Sequence, residues 1–393
     1  MSVIFNLFYI YDPWLFHFLR MAFVSGIIAM LMLGYQWYQK KLTKGITIPV
    51  DSLWVVSGFM LLSTIPALIY GTKDFSVLIM YCKSLILFLF GIAIYNLFYL
   101  NQPQRLVNDF KIGISVQAIV GLFALVGVSS MIDFALSTHV VLPKFYGSEQ
   151  EYRLYNFTSS GFFQLSIFYL MLLHFLLAYN AKHNTIHSVF LFLMLCIGIV
   201  SGRTFLMLSV ISIVLYFKWR YIPTLILFTA TCLFLAFNYA DNKYVEHALE
   251  PLINLIHGTG RISSSTDTLM QKHLFIPELK QILIGDGYYY SPKGGYYGGT
   301  DSGFLRQILY GGVSYMLLCF AFTAFFVVKI AKNWFDGSWK FILSTLAILT
   351  ILNVKADTYA YPGIMMILLM FLSLFGYSGK NIVLFKQKST TNV

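Results

Sequence analysis

The chain has 393 residues, of which 58% are hydrophobic and only 11% charged, with a mean hydropathy of +0.72. A soluble domain carries about 25% charged residues, so this composition argues against a soluble globular enzyme, and a disordered chain would need far lower hydrophobicity. The net charge of +11 comes without a basic helix or an aromatic RNA-binding motif, and membrane proteins gather basic residues in their cytoplasmic loops anyway; nucleic acid is not an expected partner. The apolar residues run in long blocks rather than alternating ten-residue strands, which argues against an outer-membrane barrel. An all-α, polytopic integral membrane protein remains.

About 20 apolar residues cross the hydrocarbon core as a helix. Eleven blocks qualify as candidates: 17–38, 50–70, 76–99, 112–132, 160–179, 187–200, 204–217, 221–239, 304–330, 339–353 and 361–378. They predict about 11 transmembrane helices, within a range of 10–12. Residues 1–16 are apolar and aromatic but broken at Asp12-Pro13; they read as an interfacial segment, with a twelfth span as the alternative. The run lacks a basic leader and a small-residue cleavage site, so no cleavable signal peptide is expected. Blocks 187–200 and 204–217 are short and meet at Ser201-Gly202-Arg203, which suits a broken pair dipping to one membrane face. The four cysteines, Cys82, Cys196, Cys232 and Cys319, lie inside apolar blocks without CxxC or metal spacing and read as packing residues.

Orientation follows from Lys and Arg in alternate short loops. One set, from Lys40, Lys41 and Lys44 through to Lys380, Lys386 and Lys388, holds 14; the opposite set, Lys73, Lys144, Arg153, Arg203 and Lys355, holds 5. The first set is therefore cytoplasmic and the C-terminus inside; with eleven spans the N-terminus is outside. This divides the chain into a transmembrane bundle over 1–239 with a loop near 133–159, one large loop over 240–303, a second bundle over 304–378, and a cytoplasmic tail over 379–393. Both loops face away from the cytoplasm. The larger is rich in Gly, Tyr, Ser and Asp, and a long loop on a compact scaffold is usually functional. No internal repeat is visible, which weighs against an inverted-repeat transporter.

Four clusters could carry chemistry. In Glu149-Gln150-Glu151-Tyr152-Arg153-Leu154-Tyr155, Arg153 at the membrane surface could grip a phosphate, since a guanidinium fork matches phosphate oxygens in pairs; the alternative is a solvated loop end. Arg203, between two apolar blocks, is costly unless paired or hydrated; the alternative is snorkelling to the interface. His257-Gly258-Thr259-Gly260-Arg261 combines close backbone approach with a cation, or is a flexible turn. Gly285-Asp286-Gly287-Tyr288-Tyr289-Tyr290, followed by Thr300-Asp301-Ser302-Gly303-Phe304-Leu305-Arg306 and Tyr310-Gly311-Gly312, has the Tyr/Gly composition of a sugar site, because tyrosine offers a flat apolar face with a polar tip. Asp301 and Arg306 fall on neighbouring helix faces, and Asp301 could equally cap the helix. No HExxH, P-loop, dinucleotide fingerprint or Ser-His-Asp signature occurs. No metal site is therefore expected, and any energy must come from an activated substrate or a gradient.

Taken in order, these stretches resemble the O-antigen polymerases (Wzy type) of the O-antigen ligase/polymerase superfamily. They are Tyr152-Arg153-Leu154-Tyr155 before a span, Ser201-Gly202-Arg203-Thr204 between two spans, Gly258-Thr259-Gly260-Arg261 opening the large loop, Gly285-Asp286-Gly287 inside it, and Thr300-Asp301-Ser302-Gly303-Phe304 with Tyr310-Gly311-Gly312 at its exit. Related ligases commonly show His-Asn where this chain has Thr300-Asp301, which favours polymerase over ligase. The resemblance implies a glycosyltransferase of the bacterial inner membrane, working at its periplasmic face in lipopolysaccharide biosynthesis. A growing glycan on undecaprenyl diphosphate would pass to a repeat unit on a second such lipid. It implies Arg153, Arg203, Arg261 and Arg306 on the diphosphate, Asp301 as base with Glu151 or His257 as substitutes, and Tyr288, Tyr289 and Tyr296 against sugar. It implies no cofactor and no metal; the partners are the undecaprenyl-diphosphate-linked oligosaccharide, membrane lipid and a chain-length regulator protein. The competing expectations are an O-antigen ligase and a lipid-linked oligosaccharide flippase or transporter.

Overall fold

A computed structural model describes residues 1–72, 74–260, 263–292, 294–376 and 378–387. In chain order its helices are α1 (Ser2–Tyr11), α2 (Met21–Tyr38), α3 (Val50–Leu62), α4 (Ile65–Ile69), α5 (Ser76–Ile94), α6 (Pro103–Leu125), α7 (Ser129–Ser137), α8 (Phe162–His183), α9 (Ser188–Ser201), α10 (Arg203–Leu215), α11 (Ile222–Asn238), α12 (Lys243–His257), α13 (Ser264–Thr268), α14 (Leu279–Ile284), α15 (Gly303–Trp334), α16 (Trp339–Asn353) and α17 (Ile364–Leu372). Two antiparallel pairs of short strands complete it: β1 (Trp14–Leu15) with β2 (Leu19–Arg20), and β3 (Ile46–Pro49) with β4 (Asn381–Leu384).

Among the described residues, seven helical segments are long and apolar enough to cross a membrane: Met21–Tyr38, Val50–Ile69, Ser76–Tyr99, Pro103–Leu125, Phe162–His183, Trp219–Asn238 and Gly303–Trp334. The chain is a helical, multi-pass membrane protein. The remaining expected spans fall short in length. α9, α10 and α16 have 14, 13 and 15 residues and α17 has 9; at 1.5 Å per residue even the longest covers only about 23 Å of a ~30 Å core.

The chain divides into two compact units. The first comprises Met1–Ala22, Leu106–Met270 and Gly363–Met365. Its centre is α8, buried on every side from Leu165 to Asn180, as a helix apolar all round must be. Both α9 and α10 pack on α8. A side chain at Gly198 would collide with the Phe205 ring, its Cβ only 2.1 Å away. Residues seven apart in one straight helix lie about 10 Å apart along the axis, so α9 and α10 form a tight hairpin that turns at Gly202. Residues 133–159, expected as a loop, hold α7 and two short 3-10 turns. The Gln117 side chain pins them to α6 by accepting from Phe157 N (2.9 Å) and donating to Phe157 O (2.7 Å). Buried His139, its Nε2 2.8 Å from Leu154 O, braces the same segment. Burial pushes this imidazole down to about 4 and keeps it neutral.

The second unit comprises Phe23–Arg105, Gln271–Pro362 and Met366–Val393. Here α15 packs against α3, α4, α14 and α16. Its 32 residues are interrupted at Gly311 and Gly312, whose backbone leaves the helical region. Near its far end, buried Lys329 donates to Asp51 Oδ1 and Ser52 Oγ on α3, both at 2.7 Å. A buried ammonium needs such partners. The expected cytoplasmic tail is partly structured, since its strand β4 pairs Asn381 with Pro49 and Leu384 with Ile46. Among its described residues the expected 240–303 loop carries three α-helices, α12 and α13 in the first unit and α14 in the second.

Candidate functional site

The first unit gathers two of the expected arginines. The break between α9 and α10 aims Ser201 O at the Arg153 side chain, whose Nε donates to it at 3.2 Å. Arg153 Nη1 reaches Gln150 Oε1 at 3.5 Å, and the guanidinium stacks 4.7 Å from the centroid of Phe162. Among the described residues no carboxylate pairs with Arg153. Arg203, the first residue of α10, pairs with Glu250 of α12. Of the two cations, only Arg203 has a paired acid among the described residues. Burial draws the Arg153 guanidinium down to about 10, and the Arg203 charge acts in the same direction; both remain charged at neutral pH. An anion placed here would be favoured by the charge that remains uncompensated.

The same cluster has an apolar side. A cavity of about 190 Å³ is walled by α6, α9, α11 and α12, with Tyr152, Val200, Cys232, Ala248 and Leu249 among its lining. Tyr152 precedes Arg153, and Leu249 precedes Glu250, so the cavity abuts the arginine pair. Tyr152 Oη lies 2.9 Å from His247 Nδ1; burial holds the phenol up at about 12 and so neutral.

Among the described residues neither Glu151 nor His257 is bonded to the arginine pair. Glu151 accepts from Tyr155 Oη at 2.7 Å and from the Gly147 backbone, which ties its carboxylate into its own turn. His257 is the exposed last residue of α12, and Gly258 ends that helix in the left-handed conformation. The Gly-Thr-Gly stretch is therefore first of all a helix terminator. Arg261 lies outside the described residues.

The second unit gathers the Tyr/Gly segment, Asp301 and Arg306. The kink at Gly311–Gly312 frees carbonyls of the preceding turn; Leu309 O accepts from Asp286 N (2.7 Å) and Tyr310 O from Gly287 N (3.0 Å). This seats the Gly285-Asp286-Gly287 motif on α15. Asp286 in turn accepts from Gln281 Nε2 (2.7 Å) and Tyr297 Oη (3.1 Å). Tyr288 stacks on Tyr297 with centroids 5.5 Å apart, and Tyr290 on Tyr296 at 5.4 Å. Buried Arg306 lies over the Tyr296 ring, 3.2 Å from its centroid. It donates to Thr300 O and reaches Asp301 Oδ1 at 3.3 Å.

Asp301 is not the helix cap. Ser302 occupies that position, and α15 starts at Gly303 without a side-chain cap bond. The exposed Asp301 carboxylate faces Arg306 on one side and His273 Nε2, at 3.5 Å, on the other. Tyr289 departs from expectation. It is buried at the centre of the cluster, against Tyr290, Tyr296 and Tyr310, and offers no face to a sugar. Its hydroxyl donates to Asp357 Oδ2 at 2.6 Å, while Gln307 Nε2 donates to Asp357 Oδ1 at 2.5 Å. Burial raises the Asp357 carboxyl to about 6 against the opposing pull of Tyr289, Arg306 and Gln307.

Reading the sequence alone missed Glu250, His247, His273, Gln307 and Asp357. Glu250 is hidden in the polar face of α12. Asp357 carried one signal, a lone acid between two apolar blocks. Among the described residues no group of three His, Cys, Asp or Glu side chains is arranged to hold a metal. Comparison of the chain with family models, with curated proteins and with solved structures finds no match.

Proposed function

We propose that the protein is an O-antigen polymerase: a glycosyltransferase of the bacterial inner membrane that transfers a growing undecaprenyl-diphosphate-linked glycan onto an undecaprenyl-diphosphate-linked repeat unit at the periplasmic face. The observation that carries the reading is the Arg153–Arg203 pair, in which only Arg203 has a paired acid, Glu250, among the described residues, beside an apolar cavity. That combination suits a substrate with an anionic head and a hydrocarbon tail.

In the reaction an acceptor hydroxyl attacks the donor's anomeric carbon. The new C–O bond forms as the bond to the diphosphate oxygen breaks, and the hydroxyl proton passes to a base. Negative charge grows on the leaving diphosphate, and fixed guanidinium donors stabilise charge that develops there. Arg153 and Arg203 take this role. The second unit, taken by itself, offers the stacked pairs Tyr288–Tyr297 and Tyr290–Tyr296 to carbohydrate and exposed Asp301, beside His273, as a candidate base, while buried Arg306 orders this segment through Thr300 O and Asp301.

The test is a strain lacking the gene, examined by lipopolysaccharide gel. A polymerase predicts surface glycans of single repeats. Polymer stranded on the carrier lipid would instead identify a ligase, and repeat units trapped at the cytoplasmic face a flippase.

A further inference from the structure

Residues 274–284 of the second unit read Leu-Phe-Ile-Pro-Glu-Leu-Lys-Gln-Ile-Leu-Ile. They lie outside the seven candidate spans, yet they are exposed like lipid-facing residues: Ile276 is 92% exposed, Leu279 71% and Leu283 61%. Leu279 and Leu283, four apart on α14, share one helix face. A contiguous apolar patch of this kind is rarely left in water.

The height of this segment follows from α15. Gly312 adopts φ +73°, and a side chain there would strike Leu283 O, with its Cβ 2.3 Å away. The end of α14 is therefore pressed onto the kink. From Gly312 to exposed Lys332 is a run of 20 residues of α15, about 30 Å at 1.5 Å per residue. That equals the hydrocarbon thickness. Lys332 and exposed Trp339 are the residue types that sit at a membrane boundary. With them at one boundary, the kink and α14 fall at the other. Exposed Lys272 precedes the apolar residues, where it complements lipid phosphates; Lys280, within the segment, lies 3.9 Å from Asp286 and over the Tyr70 ring.

We infer that residues 274–284 are an interfacial anchor: Ile276, Leu279 and Leu283 insert into the lipid at the membrane face opposite Lys332, with Lys272 among the headgroups. The anchor holds the following Tyr/Gly segment, seated on the same kink, at the level of the headgroups. It does not depend on the reaction proposed above and would serve any protein that handles a lipid-borne substrate at that face.

The test uses the full chain in nanodiscs of phosphatidylethanolamine and phosphatidylglycerol, with the four native cysteines replaced by alanine. Spin labels are attached at Ile276→Cys, at Leu279→Cys and, as a control at an exposed turn residue, at Pro292→Cys. Collision rates with oxygen, which concentrates in lipid, and with a water-soluble nickel chelate are compared. The expected ratio of oxygen to nickel collisions is severalfold higher at 276 and 279 than at 292. Equal ratios at all three sites would overturn the anchor. Ile276→Trp supplies a second reading in a chain with its native cysteines: brominated lipid must quench the added fluorescence relative to the parent chain, and no added quenching would count against the inference.

Discussion

The Cβ that Gly202 lacks would stand 2.9 Å from Nη2 of Arg153. It would also lie 2.7 Å from Ser166 Oγ, and the Gly202 backbone sits at φ +154°, where side-chain-bearing residues are strained. One glycine therefore both turns the α9–α10 hairpin and leaves room for the guanidinium. Gly202→Ala should cost about 1–3 kcal/mol of stability and displace Arg153. The expected outcome is a lowered unfolding midpoint in detergent together with loss of long glycans. A variant with unaltered midpoint and glycan length would contradict the role given to this contact.

Glu250, paired with Arg203, is the only acid paired with either arginine among the described residues. Glu250→Gln removes it and leaves two guanidinium groups near each other. Without an anion the variant should unfold at a lower temperature than the parent. Added pyrophosphate should restore it, because a ligand that binds only the folded state stabilises it. The shift caused by pyrophosphate should be larger in the variant than in the parent chain. Equal shifts would show that no anion sits beside these arginines.

Asp357 predicts a pH dependence of stability. Its folded-state value is about 6 against an ordinary 3.8, and burial is the cause. Between these two values the folded chain binds a proton that the unfolded chain releases. The stability contributed is present in full below pH 3.8 and is lost as the pH rises to about 6, a total on the order of 3 kcal/mol. Asp357→Asn is neutral throughout and keeps a carbonyl for the Tyr289 hydroxyl. Measured by thermal unfolding, the parent should lose stability relative to the variant from about pH 4 to 6, with the difference level above. A difference independent of pH would remove Asp357 from the titrating groups.

Much of this architecture was legible in the sequence. Strong, continuous apolarity marked α5, α8 and α15, and the Ser201-Gly202-Arg203 break marked a broken pair of helices. Span count was less legible, because composition registers apolar residues and not where helices stop. The block 50–70 is one apolar run, yet it changes helix at Ser63 and Thr64, whose hydroxyls bond back to Met60 O and Leu61 O. The clustering of Arg153 near Arg203 could be suspected from their rarity in apolar surroundings. Arg203's partner Glu250 could not, since it lies 47 positions beyond Arg203 on a helix expected as loop. Tyr289 illustrates the same limit: neighbouring tyrosines read alike in sequence, but only Tyr289 turns inward to a buried acid 68 positions on.

The central claim is that Arg153 holds a lipid-borne diphosphate during glycan transfer. Its direct measurement is the extension of undecaprenyl-diphosphate-linked repeat units by the purified protein in liposomes, comparing the parent chain with Arg153→Ala and Arg153→Lys. The parent should lengthen the glycans. Arg153→Ala should reduce the rate by roughly 10²–10³-fold, as loss of a transition-state donor does, and Arg153→Lys should restore only part of it, because the ammonium lacks the planar fork. Extension at the parent rate by Arg153→Ala, or no extension by the parent itself, would contradict the account.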